Sequence, residues 1–384
     1  MSSILPFMPS LGTLIGNNIR AMAQSIPPTP TPTLSPSETP ASQKPATQKD
    51  IASALESVLS DQPAIGSNAR FSSVSITLNN GKGLDIDKAA RLISPKPIDG
   101  PATSLRGIEI TNSATAKTVG ERDGLIGSGL APVWLENYGS ITGKKGAGVK
   151  LGGDQDDEVL NAGLITGRNG VALDMGGGND MLIVKHGGRF EGEVDGGTGA
   201  NQVLLEDAKG GTFDGARRMQ HLWVGEGTWT LTGAVEANRQ GKVHSGATLI
   251  NQSTIGGSMS VDPGATYSGG TVGNLDVAGT LRLEPTTRIE NDLRMQAGST
   301  LAFTPGTDKA LSVGNTANLN GATLNLHVAD ENDLPSHPVR LINARRVEGQ
   351  FANITSNLKN VTPELTYKAH DVFVTFKRND PTVV

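Results

Sequence analysis

Three glycine-rich turns in the middle of this sequence carry acidic or amide side chains that could ligate a hard cation. They are Gly152-Gly-Asp-Gln-Asp-Asp157, Gly176-Gly-Gly-Asn-Asp180 and Gly196-Gly-Thr-Gly-Ala-Asn201. Carboxylate oxygens and turn carbonyls are the ligands that Ca²⁺ prefers in proteins. The candidate calcium ligands of the sequence are therefore Asp157, Asp180 and Asn201.

The spacing of the three turns favours a structural role over calcium binding. Each turn resembles the calcium-binding nonapeptide of RTX β-rolls, but those nonapeptides follow each other directly, so that neighbouring turns share ions. Here positions 157, 180 and 201 lie 23 and 21 residues apart. Glycine permits a positive φ, and Asp or Asn can hydrogen-bond the backbone of its own turn. A calcium-stabilised RTX-like solenoid stays an alternative, and it predicts a large rise in Tm with millimolar calcium but none with magnesium; we predict no other cofactor.

The acidic cluster Asp154, Asp156, Asp157 and Glu158 supports a second alternative, a β-helical polysaccharide lyase or hydrolase. Such enzymes use clustered carboxylates as acid and base. They also need aromatic or basic residues along a substrate groove, and aromatic residues make up only 4% of this chain. The 6 histidines are scattered without an HExxH pair, and no Gly-x-Ser-x-Gly elbow occurs. The sequence therefore favours a non-enzymatic protein and offers no catalytic residue.

Charge and cysteine content exclude further classes of protein. The formal net charge is −5 and no basic stripe occurs, so the electrostatic signature of a nucleic-acid-binding protein is missing. Cysteine is absent, which excludes disulfides, thiol catalysis and thiolate metal sites together. After the N-terminal region, no apolar stretch approaches the ~20 residues of a membrane-spanning helix. We therefore predict neither a nucleic-acid partner nor a transmembrane helix.

Short repeats between glycine turns determine the predicted architecture. Glycine accounts for 49 of the 384 residues, roughly twice its usual share. The heptapeptide that starts at Asn137 recurs at Asn161 as Asn-x-Gly-x-Ile-Thr-Gly. Further along, a glycine followed by small residues, including Thr, and then an apolar residue recurs at Gly227, Gly246, Gly264, Gly279, Gly298 and Gly321. Each unit is too short to fold alone, but coils stacked ~4.8 Å apart pair every strand with its neighbours, so the sequence predicts an all-β solenoid.

The composition changes along the chain predict six segments. Residues 1–25 resemble an atypical signal peptide, 26–49 form a Pro/Ser/Thr-rich linker and 50–67 a short capping helix. A β-helix follows over 68–330, then a β-rich C-terminal cap over 331–378 and a tail over 379–384. Within the β-helix, the stretch from Lys88 to Val133 fits the coil pattern least and is predicted to be a functional loop region. Trp229 alternates with Leu231 and is predicted to lie in the core.

An ordered series of glycine motifs extends from the middle of the chain towards its C-terminus. Asn161-Ala-Gly-Leu-Ile-Thr-Gly167 is followed by Gly170-Val-Ala-Leu173, Gly178-Asn-Asp180, Gly196-Gly-Thr-Gly199 and Gly227-Thr-Trp-Thr-Leu-Thr-Gly233. The last part contains Leu341-Ile, Gly349-Gln-Phe351, Thr366-Tyr367 and Val372-Phe-Val-Thr-Phe-Lys-Arg378. In this order the motifs, from about Asn137 to Arg378, resemble the passenger region of bacterial type V secretion autotransporters, whose stable end is often called the autochaperone region.

The resemblance implies a right-handed parallel β-helix that a C-terminal barrel carries across the outer membrane. It implies an exported protein, at the cell surface, in the outer membrane or outside the cell, that acts in adhesion or in contact with a host or neighbouring cell. Its implied partners are the translocator barrel and a ligand on such a cell. The chain ends at Val384 without that barrel, so we expect the barrel to be lost, truncated or encoded on a separate chain.

Overall fold

The computed structural model describes residues 73–86, 107–127, 129, 131–236, 238–306, 309–328 and 330–379. The predicted signal-like segment, linker and capping helix, residues 1–67, lie outside these residues. Within them, β-strands account for most of the regular structure, as the sequence predicts. A 3-10 turn at Glu331–Asp333 precedes the last four strands.

Most strands are only two to eight residues long and are separated by turns. The first ten are β1 (Ser73–Leu78), β2 (Gly81–Lys82), β3 (Leu84–Asp85), β4 (Gly107–Asn112), β5 (Lys117–Gly120), β6 (Leu125–Ile126), β7 (Val133–Asn137), β8 (Ser140–Gly143), β9 (Val149–Lys150) and β10 (Glu158–Asn161). The next eleven are β11 (Leu164–Asp174), β12 (Met181–Val184), β13 (Arg189–Asp195), β14 (Gln202–Glu206), β15 (Gly211–Phe213), β16 (His221–Glu226), β17 (Thr228–Leu231), β18 (Gln240–Val243), β19 (Thr248–Asn251), β20 (Thr254–Val261) and β21 (Thr266–Ser268). The last eleven are β22 (Thr271–Val277), β23 (Thr280–Arg282), β24 (Arg288–Ile289), β25 (Leu293–Met295), β26 (Thr300–Phe303), β27 (Leu311–Asn318), β28 (Thr323–Leu326), β29 (Val339–Glu348), β30 (Asn353–Ser356), β31 (Val361–Tyr367) and β32 (Asp371–Arg378).

These strands form three long sheets in which each strand pairs with the equivalent strand of the next coil. The largest has 16 strands in the order β1-β4-β7-β10-β12-β14-β16-β18-β20-β22-β24-β27-β29-β32-β31, with β25 between β22 and β27. The second has the order β2-β5-β8-β11-β9-β6-β3, with β13 on β11, and the third runs from β15 through β17, β19, β21, β23, β26 and β28 to β30. Pairing is parallel throughout except between β29, β32 and β31. Long parallel sheets of this kind are consistent with the predicted solenoid.

The predicted repeats coincide with the strand register. Asn137 and Asn161 are directly paired, and so are Gly143 and Gly167. In the third sheet the threonines of the glycine motif form one unbroken row, at Thr228, Thr248, Thr266, Thr280, Thr300 and Thr323. The apolar residue that follows each threonine forms the adjacent row, which points inward. The repeat therefore encodes one strand position in each coil.

One continuous hydrophobic core fills the space between the sheets. Its largest fully buried side chains include Trp229, Tyr267, Phe213 and Phe303. Trp229 is 0% exposed, which confirms the prediction that it lies in the core. Burial alternates along the strands, because successive side chains of a strand point to opposite faces of its sheet.

The stretch from Lys88 to Val133 differs in part from its prediction as a loop region. Residues 107–126 form β4, β5 and β6, which pair with strands of the neighbouring coils. The reason is the alternation of Ile108 and Ile110 with polar residues, which buries both isoleucines. Residues 88–106 lie outside the described part of the chain.

The C-terminal strands change from parallel to antiparallel pairing. Parallel pairing continues as far as β30, and then β32 pairs antiparallel with both β29 and β31. Phe351, Tyr367 and Phe376 are partly buried against the core. The side chains of Arg340 and Lys368 lie 5.7 and 4.9 Å from the centre of the Phe373 ring.

Candidate ligand-binding face

The predicted calcium candidates form a ladder of hydrogen bonds between successive coils. The Oδ1 atom of Asp157 accepts from the backbone N–H of Val133 at 2.7 Å, and that of Asp180 from the N–H of Asp157 at 2.8 Å. Asn201 Oδ1 accepts from the N–H of Asp180 at 2.9 Å, and Gln220 Oε1 from the N–H of Asn201 at 2.7 Å. Each side chain therefore satisfies a buried backbone donor in the coil before it. The described residues include no group of three or more histidines and acids that could hold a metal ion.

Asp180 is the most constrained carboxyl of this ladder. It is 0% exposed, and its Oδ2 atom has no hydrogen-bond partner. Burial is the main reason why its pKa is raised from 3.8 to about 8, with a smaller contribution from the charge of Asp157. The pKa of Asp157 is raised by burial to about 7. Burial disfavours the charged form of a carboxyl group, so at neutral pH Asp180 stays mostly protonated and Asp157 only in part.

We expect Asp180→Asn to stabilise the fold at pH 8 by about 1–3 kcal/mol, because it removes a buried carboxylate in which one oxygen has no hydrogen-bond partner. The folded-state pKa of Asp180 lies above its ordinary value, so between 3.8 and about 8 the folded state binds more protons than the unfolded state. The stability that the protonated group contributes is complete below pH 3.8 and is lost as the pH rises to about 8. Urea unfolding at several pH values from 5 to 8 measures how the free energy of unfolding changes with pH.

The matched control for this prediction is Asp154→Asn, an exposed carboxyl in the same turn region. It should leave the pH dependence of the unfolding free energy close to that of the natural protein. The Asp180→Asn protein should show a shallower dependence and nearly unchanged stability at pH 5. If the unfolding free energy changed equally with pH in the natural and Asp180→Asn proteins, the raised pKa of the buried Asp180 carboxyl would not explain the pH dependence.

The four residues of the acidic cluster do not converge on one site. Asp154 and Asp156 are exposed in the turn, where Asp156 Oδ1 accepts from the N–H of Asn179 at 2.6 Å. Asp157 points into the molecule and is 3% exposed. Glu158 begins β10 and points outward from the largest sheet. Alternation along the strand separates the last two side chains onto opposite faces.

The outer face of the largest sheet carries apolar and aromatic side chains at the positions where a strand usually exposes polar ones. Two rows cross strands β7 to β16 in direct register. We call these side chains the outer ribbon: Trp134, Glu158, Met181, Gln202 and His221 in the first row, and Glu136, Leu160, Ile183, Leu204 and Trp223 in the second. With strands ~4.8 Å apart, the four steps from β7 to β16 span ~19 Å.

Trp134 forms the first end of the outer ribbon. Its ring covers the backbone of Gly107, because a Cβ atom added to that glycine would lie 2.0 Å from the ring. Glu109 and Glu158 pair with Trp134 on the two neighbouring strands, and Glu136 lies two residues further along the same strand. Three glutamates therefore occupy the outward positions next to Trp134 in the sheet. The pKa of Glu158 is raised by burial and, to a smaller extent, by the charge of Glu136.

Trp223 forms the other end of the outer ribbon. Its ring stacks on that of His221, with centroids 5.6 Å apart and planes inclined by 8°. The ring of His244 lies 6.1 Å away, tilted by 38°. The indole N–H of Trp223 donates to Gln202 Oε1 at 3.3 Å. These contacts hold the indole in one orientation at the surface.

Paired charges line the rim beside Trp223. Lys185 Nζ lies 3.1 Å from Glu206 Oε2, and Lys242 Nζ lies 3.0 Å from Asp262 Oδ1. Beyond this rim the second row continues through Lys242, Ser260, Asp276 and Arg294, and is polar. The apolar part of the face therefore ends at Trp223.

The sequence did not predict the outer ribbon, although part of its signal is visible. In Val133-Trp-Leu-Glu-Asn137, inward Val133 and Leu135 alternate with outward Trp134 and Glu136. The same alternation places Trp223 outward between Leu222 and Val224. These outward residues lie side by side only because of the strand register. The register cannot be read from the sequence spacing, because the repeats differ in length.

Comparison with known proteins finds no matching family model, no matching characterised protein and no matching solved structure. Within the described part of the chain, no helix is long and apolar enough to cross a membrane.

Proposed function

We propose that this chain is the displayed passenger of an autotransporter-type secretion system. In this proposal it is a right-handed parallel β-helix at the cell surface or outside the cell. It acts by binding rather than by catalysis, in adhesion or in contact with a host or neighbouring cell. Its partners are an outer-membrane translocator barrel, which exports it, and a ligand on the contacted cell.

The observation that carries the proposal is the outer ribbon between Trp134 and Trp223. The ribbon places apolar side chains on an outward sheet face, where Trp134 and Trp223 are partly exposed and Ile183 is 7% exposed. Contiguous apolar surface on an outward face usually marks an interaction site. In contrast, the carboxyls of Asp157 and Asp180 are engaged with the backbone of the neighbouring coil. Among the described residues, the sheet face rather than these turns therefore supports a binding role.

Cell fractionation combined with protease treatment of intact cells tests the display part of the proposal. We expect the chain in the outer-membrane or extracellular fraction, and we expect added protease to digest it while a cytoplasmic marker protein stays intact. A chain found only in the cytosol, protected from protease until the cells are lysed, would refute surface display.

A further inference from the structure

We propose that the outer ribbon binds a linear oligosaccharide that carries amino groups, laid across the strands from Trp134 towards Trp223. The apolar C–H face of a sugar ring would stack on Trp134, and its ammonium groups would pair with Glu109, Glu136 and Glu158. This inference deepens the proposed function by naming the ligand class of the same face. It concerns the purified chain, so it can fail or succeed independently of surface display.

The size of the outer ribbon fits a narrow polymer rather than a folded protein. Outward residues two apart on one strand lie ~7 Å from each other, and the ribbon is ~19 Å long, which gives an area on the order of 10² Å² between row centres. A stable protein–protein interface buries about 800 Å² on each partner. The outer ribbon is therefore too small to hold a second copy of this chain by itself, whereas a single extended chain covers it.

The strands of this face have no unpaired backbone edge to which an extended peptide could add. Peptides that add to a sheet are recognised through unpaired backbone groups at its edge. Here β7, β10, β12, β14 and β16 each have a paired strand on both sides. Recognition on this face must therefore come from side chains. Sugar hydroxyls can hydrogen-bond to carboxylates, and Gln202 adds an amide to the row.

The charge at the Trp134 end selects for a cationic ligand. In the described part of the chain, no lysine or arginine forms an ion pair with Glu109, Glu136 or Glu158. The closest polar contact of Glu136 is the Tyr138 hydroxyl, which donates to it at 3.4 Å. An ammonium group placed here would relieve the repulsion between the carboxylates of Glu136 and Glu158. Hydroxyls alone would leave that repulsion in place.

Isothermal titration of the purified full-length chain with a glucosamine oligosaccharide tests the inference. We expect saturable binding to one site, and at least about tenfold weaker binding of the N-acetylated oligosaccharide of the same length, which is about 1.4 kcal/mol. Trp134→Ala should weaken binding of the amino form at least about tenfold, because it removes the stacking surface. Glu158→Gln, which preserves the shape of the side chain, should also weaken it and reduce its dependence on salt.

The matched control is Ser260→Ala, which lies in the second row two strands beyond Trp223. It should bind the glucosamine oligosaccharide as the natural chain does. The inference is overturned by an absence of binding, by unchanged binding in both the Trp134→Ala and Glu158→Gln proteins, or by equal affinity for the N-acetylated form. Equal or tighter binding of oligolysine at the same site would overturn it as well, in favour of a cationic peptide.

Discussion

Replacing Gly197 with alanine is expected to lower the free energy of unfolding by about 3–5 kcal/mol. Gly197 has a φ of +76°, and a Cβ atom at this position would lie 1.7 Å from the carbonyl oxygen of Gly176 in the neighbouring coil. The obstacle is backbone, so no side chain can rotate away to make room. Two coils would have to separate locally, which breaks the ladder of hydrogen bonds between them. Chemical unfolding followed by circular dichroism measures the loss.

Gly246→Ala separates the steric effect from the effect of backbone conformation. Gly246 has a similar φ of +83°, but a Cβ atom there meets nothing within 4 Å. This variant should lose only the ~1–2 kcal/mol that an L-residue incurs in the left-handed region. If both variants lost the same amount, the tight stacking of coils at Gly197 would not be the cause.

The second large effect is expected from Asn137→Ala, which should lower the free energy of unfolding by about 2–4 kcal/mol. Asn137 is 0% exposed and joins a column of amide side chains in three successive coils. Its Oδ1 accepts from Asn112 Nδ2 at 2.7 Å, and its Nδ2 donates to Asn161 Oδ1 at 2.8 Å. Removing the middle amide leaves a polar group on each side without that partner, in surroundings that contain little water.

Asn325→Ala provides the comparison, because Asn325 is an exposed residue of β28. Its replacement should change the unfolding free energy by less than ~0.5 kcal/mol. In addition, Asn137→Ala combined with Asn161→Ala should cost less than the sum of the single changes, since the two amides share one hydrogen bond. An additive double variant would show that the column does not act as a unit.

The periodic parts of the fold could be predicted from the sequence, because one repeat corresponds to one coil. The threonine of the glycine motif marks the same strand position from Thr228 to Thr323, and the residue after it is buried. The prediction for Trp229 succeeded for the same reason. The loop prediction for Lys88 to Val133 was wrong over residues 107–126. The repeated glycine motif does not occur there, and the alternation of buried Ile108 and Ile110 with polar residues is the main indication of a strand.

The candidate site was harder to predict, because it depends on register rather than on local sequence. Residues paired between neighbouring coils lie 24 apart at Asn137 and Asn161 but only 14 apart at Thr266 and Thr280. The turns absorb these differences, so sequence spacing alone does not show which outward residues become neighbours. The candidate calcium ligands of the acidic turns could be located in the sequence because their motif is local. In the structure, the carboxyls of Asp157 and Asp180 accept backbone hydrogen bonds, and the partly exposed Trp134 and Trp223 lie on the outward face of the sheet.

The stacking of coils sets the length of the outer ribbon in fixed steps. The separation of its two tryptophans is fixed by how many coils lie between them, and each coil adds or removes one step of ~4.8 Å. Turns can lengthen or shorten without changing that step, because the strands alone set it. A gain or loss of one whole coil during evolution would therefore change the length of the ligand that fits while leaving the chemistry at both ends intact.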